Sequence, residues 1–422
     1  MDMDRLKAWL IAHGGSFHPS VVLKTQGPFG ISVLAPRIDE DTTIVTCPFS
    51  LIITKHTSLQ ALKTLLGNDA HASLDTWSER QLICSYLCFH QLCPEQSSQE
   101  VLRHFPYIQC LPAAANLLTP PHFTTTEREI LRNTNLYQAT LDRERNWRAR
   151  WGQCRSLVQM VNPAWGDLFT WDVYLTALTY LSSRAFPSSV LSPNPSLVST
   201  PSTHPVLIPG LDLLNHKRGQ PVSWIVSCQD TIQDQDTNTS NTISIVSHPN
   251  SDVDVGTTSP REELVEVFNN YGPKPNDELI LGYGFSLPDN PDDTMTLQIG
   301  GSATSQKWVV GRNAHNVESL WSDIRNMIAN GESDYEFEDD LETAAVLTDM
   351  VQAKLDGIKT VADVRQNDVI RPTVRAMLGH YIAGQRDILE SILEFLNEKR
   401  GAAIDAAREQ GIDLVFDEDD DG

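Results

Sequence analysis

V-F-N-N-Y-G-P-K-P-N-D-E-L-I-L-G-Y-G-F, residues 267–285, is the stretch around which the rest of the chain is organised. Two tyrosines, Tyr271 and Tyr283, flank a turn containing Pro and Asn, and each is followed by a glycine that permits a sharp bend or a close backbone approach. The apolar run Leu279-Ile280-Leu281 lies between the turn and the second tyrosine, as expected of a segment anchored in a core while its phenols face a pocket. That arrangement suits a narrow channel lined by aromatic hydroxyls.

Upstream, the apolar stretch Leu207-Ile208-Pro209-Gly210-Leu211-Asp212-Leu213-Leu214-Asn215-His216 carries three polar residues close together. Burying Asp212, Asn215 and His216 without partners is expensive, so polar groups from elsewhere should meet them. Three motifs now stand in order: Asp212-x-x-Asn215-His216, then Glu263-x-x-Glu266-Val267 leading into Tyr271-Gly272, then Glu278-Leu279-x-x-x-Tyr283-Gly284-Phe285. In order and spacing they resemble the paired motifs of SET-domain methyltransferases. Within that superfamily the chain is most similar to the group containing the Rubisco large-subunit methyltransferase and the fungal ribosomal-lysine methyltransferases.

The chain has 422 residues, enough for two or three domains with a sizeable core. Lys and Arg number 32 against 55 Asp and Glu, a formal net charge of −23, which argues against non-specific binding to nucleic acid or to an anionic membrane. A basic protein substrate or partner fits that balance, and acidity also serves solubility alone. Seven cysteines, at 47, 84, 88, 93, 110, 154 and 228, form no CxxC pairs and read as buried thiols of a reduced intracellular protein. Cys84, Cys88 and Cys93 lack a fourth partner in phase, so no metal site is expected. The Met-Asp-Met-Asp start has no signal-peptide character, and no apolar run approaches the roughly 18 residues of a membrane span. The expectation is a soluble protein of cytoplasm or nucleus.

Taken in order, residues 4–13 predict a short amphipathic helix with Leu6, Trp9 and Leu10 on one face. Strand-like runs follow at 21–23, 31–35 and 43–47, the first two joined by the turn Gly27-Pro28-Phe29-Gly30. From about 58 to 186 the pattern is helical. Thr76-x-x-Glu79 and Thr126-x-x-Glu129 read as capping boxes, the second opening a long helix that turns basic around Arg143, Arg145, Arg148 and Arg150. Glu144 and Trp147 interleave that stretch, which therefore reads as a solvated helix face. His90 reads as a helix-surface residue. A clear stripe at 171, 174, 175, 178 and 181 leads to Ser183-Arg184-Ala185-Phe186, which matches the family's Ser-Arg-x-Phe segment. Residues 187–205 are a Ser- and Pro-rich loop expected not to pack, and 229–260 a polar insert with one strand at Ile243, Ile245 and Val246. The segment from Glu263 to Tyr271 reads as a strand. Helical spacing returns at 336–355, 369–381 and 388–396, before a charged tail at 417–421.

The resemblance implies an α+β fold, a β-rich SET core interrupted by a helical insertion and followed by an all-α C-terminal domain. The corresponding boundaries are 1–57 and 205–292 for the two parts of the core, 58–204 for the insertion, 293–415 for the helical domain and 416–422 for the tail. It implies S-adenosylmethionine as cofactor, bound by Phe29 and Gly30 at the first turn, by Arg184 on the methionine carboxylate, and by Asp212, Asn215, His216 and Tyr271. Tyr271 would be the catalytic tyrosine and Tyr283 a second channel wall. Asp212 is expected to orient its loop. The turn at Gly27-Pro28 departs from the family's acidic residue and more open Gly-x-Gly.

Methyl transfer from a sulfonium to an amine needs alignment, exclusion of water and a neutral amine, and no strong base. Tyrosines suit it, because a hydroxyl orients the amine lone pair and a ring stabilises passing positive charge. The expected reaction is lysine N-methylation of a non-histone protein, ribosomal or translation-linked. The resemblance leaves open a histidine acceptor, since one branch of the group methylates histidine, and the Gly27-Pro28 turn with Lys217 after Asn215-His216 leaves open a catalytically silent SET-like scaffold.

Overall fold

The computed structural model describes residues 2–25, 30–36, 41–93, 100–227, 241–248, 263–299, 306–329, 335–360 and 369–415. Gly27, Pro28, Phe29, Cys228, most of the polar insert at 229–260 and the acidic run at 417–421 lie outside them. The chain divides into two compact units, Met1–Thr119 with Asp142–Pro273, and Pro120–Leu141 with Lys274–Gly422.

The first unit is built on three small antiparallel sheets. Strands β1 (Ser16–Phe17), β4 (Thr42–Pro48), β8 (Thr242–Ser247) and β7 (Val222–Ser227) pair in the order β1-β4-β8-β7. Strands β2 (Val22–Thr25), β3 (Ile31–Ala35) and β9 (Val265–Glu266) form a second sheet with β3 in the middle. Strands β5 (Phe186–Pro187) and β6 (Pro205–Val206) make a two-stranded ribbon. β3 is buried along its whole length, as a central strand without polar alternation should be. The strand expected from Glu263 to Tyr271 shrinks to β9, because beyond Glu266 the backbone turns to meet the Asn215-His216 segment.

Helices fill the sequence between β4 and β5. Helix Glu79–Leu92 starts one cap later than the sequence indicates: the Thr76 hydroxyl donates to Ser73 O, and Ser78 with Gln81 forms the capping box. Nearly every face of this helix is covered, so His90 is buried and not on the surface, with Nδ1 2.9 Å from Tyr86 O and its ring edge-on to Tyr86. Burial pushes the His90 imidazole down to about 4, with the backbone of Tyr86 and Leu102 opposing more weakly. Helix Trp171–Arg184 follows the predicted stripe. The Ser/Pro stretch after it packs where a loose loop was expected. Val190 is fully buried, and Ser189 Oγ donates to Ser196 O at 2.8 Å, so serine hydroxyls satisfy the backbone that a folded-in loop would otherwise strand.

In the second unit, Thr124 and Glu127, two residues ahead of the expected pair, cap a short helix Thr125–Ile130. The long helix Asn135–Val161 starts separately, and the boundary between units falls within it. Helix Asn276–Tyr283 precedes the hairpin β10 (Thr294–Gln298) and β11 (Lys307–Gly311). Helices Val317–Ile328, Glu336–Gly357 and Pro372–Glu409 complete the unit. The last is a single helix of 38 residues where two were expected. Its polar middle is part of the packed face: Gly384 and Gln385 are buried, and Gln385 donates to Thr294 O at 3.0 Å. Arg371 fixes the start of this helix, with Nε and Nη2 at 2.9 and 2.8 Å from the buried Glu127 carboxylate.

Candidate functional site

The Leu207–His216 segment enters the first unit through paired backbone bonds between Leu207 and Ile53, each 3.0 Å. Gly210, at φ 93°, turns it where a side chain would come within 2.9 Å of Val45 Cγ1, and the short turn Leu211–Leu213 follows. This places the Asp212 carboxylate at 0 % exposure. Tyr107 donates to its Oδ2 at 2.7 Å. Arg184, the last residue of its helix, donates through Nη1 to Asp212 O at 3.0 Å and to Oδ2 at 3.4 Å. Asp212 Oδ1 is buried with no hydrogen-bond partner among the described residues.

Burial raises the Asp212 carboxyl above the usual carboxylate range, and Arg184 and Tyr107 pull the other way. Burial also drives the Tyr107 phenol well up, reinforced by the Asp212 charge. For Arg184 burial works against the cation, and the Asp212 charge, with Tyr107 and Tyr271 nearby, more than offsets it. The result is a buried cation held by one carboxylate, with a carboxylate oxygen still to be satisfied.

Three residues on, Asn215 Nδ2 donates to Ile31 O at 3.3 Å and to Glu266 Oε1 at 2.6 Å, joining the segment to β3 and β9. Asn215 O accepts from Asn269 N at 2.8 Å, and Asn269 O from Lys217 N at 2.9 Å. These bonds carry the chain into Tyr271, whose N–H donates to His216 Nδ1 at 3.0 Å, so that nitrogen is an acceptor. The two rings stack with centroids 5.0 Å apart and planes inclined by 26°. The Tyr271 hydroxyl donates to Leu214 O at 2.9 Å. Asn269 is buried, and its Nδ2, like Asp212 Oδ1, has no hydrogen-bond partner among the described residues.

Gly30, at φ 92°, opens β3 beneath Pro112, whose Cγ would lie 2.8 Å from any Cβ there. Tyr180 donates to Pro112 O at 2.5 Å, fixing the extended connector over the glycine. Its phenol is pushed up to about 12 by burial, with Arg184 opposing.

Of the residues singled out in the sequence, Gly30, Arg184, Asp212, Asn215, His216 and Tyr271 lie in this one unit, linked through β3 and the Leu207–His216 segment. Tyr283 lies in the second unit, where it ends helix Asn276–Tyr283, with Lys274 Nζ 5.8 Å from its ring centroid and Phe285 edge-on at 6.1 Å. Burial raises its phenol above the ordinary range. Sequence reasoning missed Tyr107, Tyr180 and the part played by Glu266. The cost of burying Asp212 implied a partner, but a partner 105 positions away has no local signature.

Among the described residues, no group of His, Cys, Asp and Glu could hold a metal ion, and no helix is long and apolar enough to cross a membrane. No protein-family model matches the chain. It is 31 % identical over 307 residues to ribosomal lysine N-methyltransferase set10 of Schizosaccharomyces pombe, covering 70 % of this chain and 48 % of that protein. Against ribosomal lysine N-methyltransferase 1 of Saccharomyces cerevisiae it is 33 % identical over 135 residues, 31 % of this chain and 18 % of the relative. The chain thus spans at most about half the length of these curated relatives. Among solved structures, the SET domain of LSMT bound to lysine and AdoHcy superposes with a TM-score of 0.67 at 16 % identity, covering 99 % of this chain and 97 % of that one. Rubisco LSMT bound to AdoMet gives a TM-score of 0.65 at 17 % identity, covering 100 % and 98 %. The chain therefore shares the fold of these Rubisco LSMT SET-domain structures.

Proposed function

We propose that the chain is an S-adenosylmethionine-dependent protein-lysine N-methyltransferase acting on a ribosomal or translation-linked protein. The observation that carries this reading is that one short segment, 212–216, holds the buried Asp212 against Arg184, ties Asn215 to Glu266, and receives the Tyr271 hydroxyl at Leu214 O and the Tyr271 N–H at His216. The likeness to curated ribosomal lysine methyltransferases and to structures bound to lysine with AdoHcy or to AdoMet supports it.

The residues present fit the cofactor on chemical grounds. Its amino-acid end carries both an ammonium and a carboxylate, and this site holds a buried guanidinium beside a carboxylate whose Oδ1 has no donor among the described residues. Arg184 would hold the carboxylate, and Asp212 would orient the loop and accept from a cation. Gly30, Asn215 and His216 would bind through backbone and side-chain polar groups, with Phe29 beside Gly30. When bound, the group supplies an electrophilic methyl. Because the Tyr271 proton is committed to Leu214 O, what its oxygen offers an amine is lone pairs. Accepting an amine N–H there aims the nitrogen's own lone pair away from the phenol. A lysine of pKa about 10.4 sheds its proton more readily in such low-dielectric surroundings.

In this reading residues 58–204 interrupt the core, 293–415 form a substrate-binding helical domain, and Tyr283 lines the lysine channel. A basic protein would be the substrate, in cytoplasm or nucleus. Calorimetry with S-adenosylmethionine, followed by labelled-methyl transfer to isolated ribosomal proteins, tests it. Saturable binding lost in Asn215→Ala, and label on lysine, are expected. A folded protein that binds no cofactor refutes the assignment, and label on histidine corrects the acceptor.

A further inference from the structure

Helix Asn276–Tyr283, which ends in Tyr283, has no cap of its own: Pro275 stands at its N-cap with no side-chain bond. The capping function comes from residue 293. The Asn276 N–H donates to Asp293 Oδ1 at 2.7 Å, and Asn276 Nδ2 donates to Oδ2 at 3.1 Å. A carboxylate at a helix N-terminus also meets the positive end of the helix dipole. Asn276 further donates to Leu287 O at 3.0 Å and accepts from Leu287 N at 2.8 Å, tying the chain just past Tyr283 to the helix start. Asn290, in the same turn as Asp293, donates to Lys274 O at 2.8 Å.

Asp293 is 1 % exposed, and Arg312 Nη2 stands 3.4 Å from its Oδ2 while Nη1 donates to Asp387 at 3.1 Å. The helix Pro372–Glu409 passes so close that a Cβ on Gly384 would lie 2.3 Å from Asp293 Oδ2 and 3.1 Å from Arg312 Nη2. Glycine is otherwise unfavourable inside a helix. Its presence here leaves room for the carboxylate.

We infer that Asp293 is a positioning residue for Tyr283, a remote helix cap held in place by Arg312 and by the space at Gly384. This rests on the reading of Tyr283 as a wall of the lysine channel. A phenol on a two-turn helix moves when the first turn frays, and misplacement of about 1 Å near the reacting groups can cost on the order of a hundredfold in rate. In this reading Asp293 acts on the acceptor, because Tyr283 is assigned to the lysine channel and to no cofactor contact.

Asp293→Asn, Tyr283→Phe and the double variant form the test. Asp293→Asn is expected to lower kcat/KM for the protein substrate about tenfold, with S-adenosylmethionine affinity within about twofold. In the Tyr283→Phe background the same change should cost less than about twofold, because the group it positions is gone. Equal losses in both backgrounds would overturn the inference, as would unchanged kcat/KM in Asp293→Asn. Unchanged turnover in Tyr283→Phe alone would instead remove Tyr283 from the site. Hydrogen exchange reads the positioning without any turnover: Asp293→Asn should speed exchange at least about tenfold across 276–284 while the 135–161 and 336–357 helices keep their protection. Uniform acceleration, or none at 276–284, overturns the inference whether or not methyl transfer is detected.

Discussion

Replacing Asp212 with alanine tests the core of the site. The carboxylate is fully covered, Arg184 is 12 % exposed, and Tyr107 has Asp212 as its acceptor at 2.7 Å. Removing one member of a buried ion pair typically costs about 3–5 kcal/mol, because the other charge stays buried. Arg184 retains its bond to the Asp212 main-chain oxygen, so the low end applies, about 3 kcal/mol. For a compact body of this size each kcal/mol lowers Tm by about 2–4 °C, giving a fall of about 6–12 °C. Asp212→Asn keeps an acceptor for Tyr107 and Arg184 and should lose about 1–2 kcal/mol. The double change Asp212→Leu with Arg184→Met should lose less than Asp212→Ala alone, since no unpaired charge remains. Circular dichroism melts and urea titrations of the four proteins at pH 7 read these differences. A Tm for Asp212→Ala within about 2 °C of wild type would refute the reasoning, because it would mean water reaches the Arg184 guanidinium.

Other consequences are open to equally direct measurement. Gly30→Ala forces an L-residue into φ 92° with its methyl 2.8 Å from Pro112, a cost of about 1–2 kcal/mol, and weakened cofactor binding should accompany it; a variant matching wild type in both respects contradicts the packing. His90 has a folded-state pKa of about 4 against 6.5, so below pH 6.5 the unfolded chain takes up a proton the folded one refuses until about pH 4. Stability should therefore fall as pH drops through that window, by on the order of 3 kcal/mol from this group, and His90→Gln should flatten the slope between pH 5 and 6.5; identical slopes would place the imidazole in solvent. Tyr271→Phe removes the donor to Leu214 O and should slow transfer at least about tenfold while leaving cofactor affinity within about threefold, measured by single turnover beside calorimetry. Undiminished transfer would exclude the hydroxyl from the reaction.

The strands around the site were readable where a short run bounded by turn residues is wholly buried, as at Ile31–Ala35, and helix Trp171–Arg184 was readable because its stripe is uninterrupted. Caps were harder. Thr76 and Thr126 each precede a Glu at the right spacing, but the pairs in use are Ser78 with Gln81 and Thr124 with Glu127. Capping boxes overlap in polar stretches, and the register of the packed helix decides between them. His90 looked exposed because it follows a buried face in sequence, and it is buried because other elements cover the far side of that helix.

The sequence alone determined which residue types the site would bring: two tyrosines followed by glycine, an arginine ending an amphipathic helix, and three polar residues in an apolar stretch that could not be buried without partners. Those are local properties, set by side-chain chemistry and spacing. Tertiary structure decided the partners. That Tyr107 satisfies Asp212 from 105 positions away, that Glu266 and Ile31 hold Asn215 between them, and that residue 293 caps the helix ending in Tyr283 are consequences of packing. A buried donor or acceptor announces in sequence that it needs a partner, and only the folded chain selects which one comes within 3 Å.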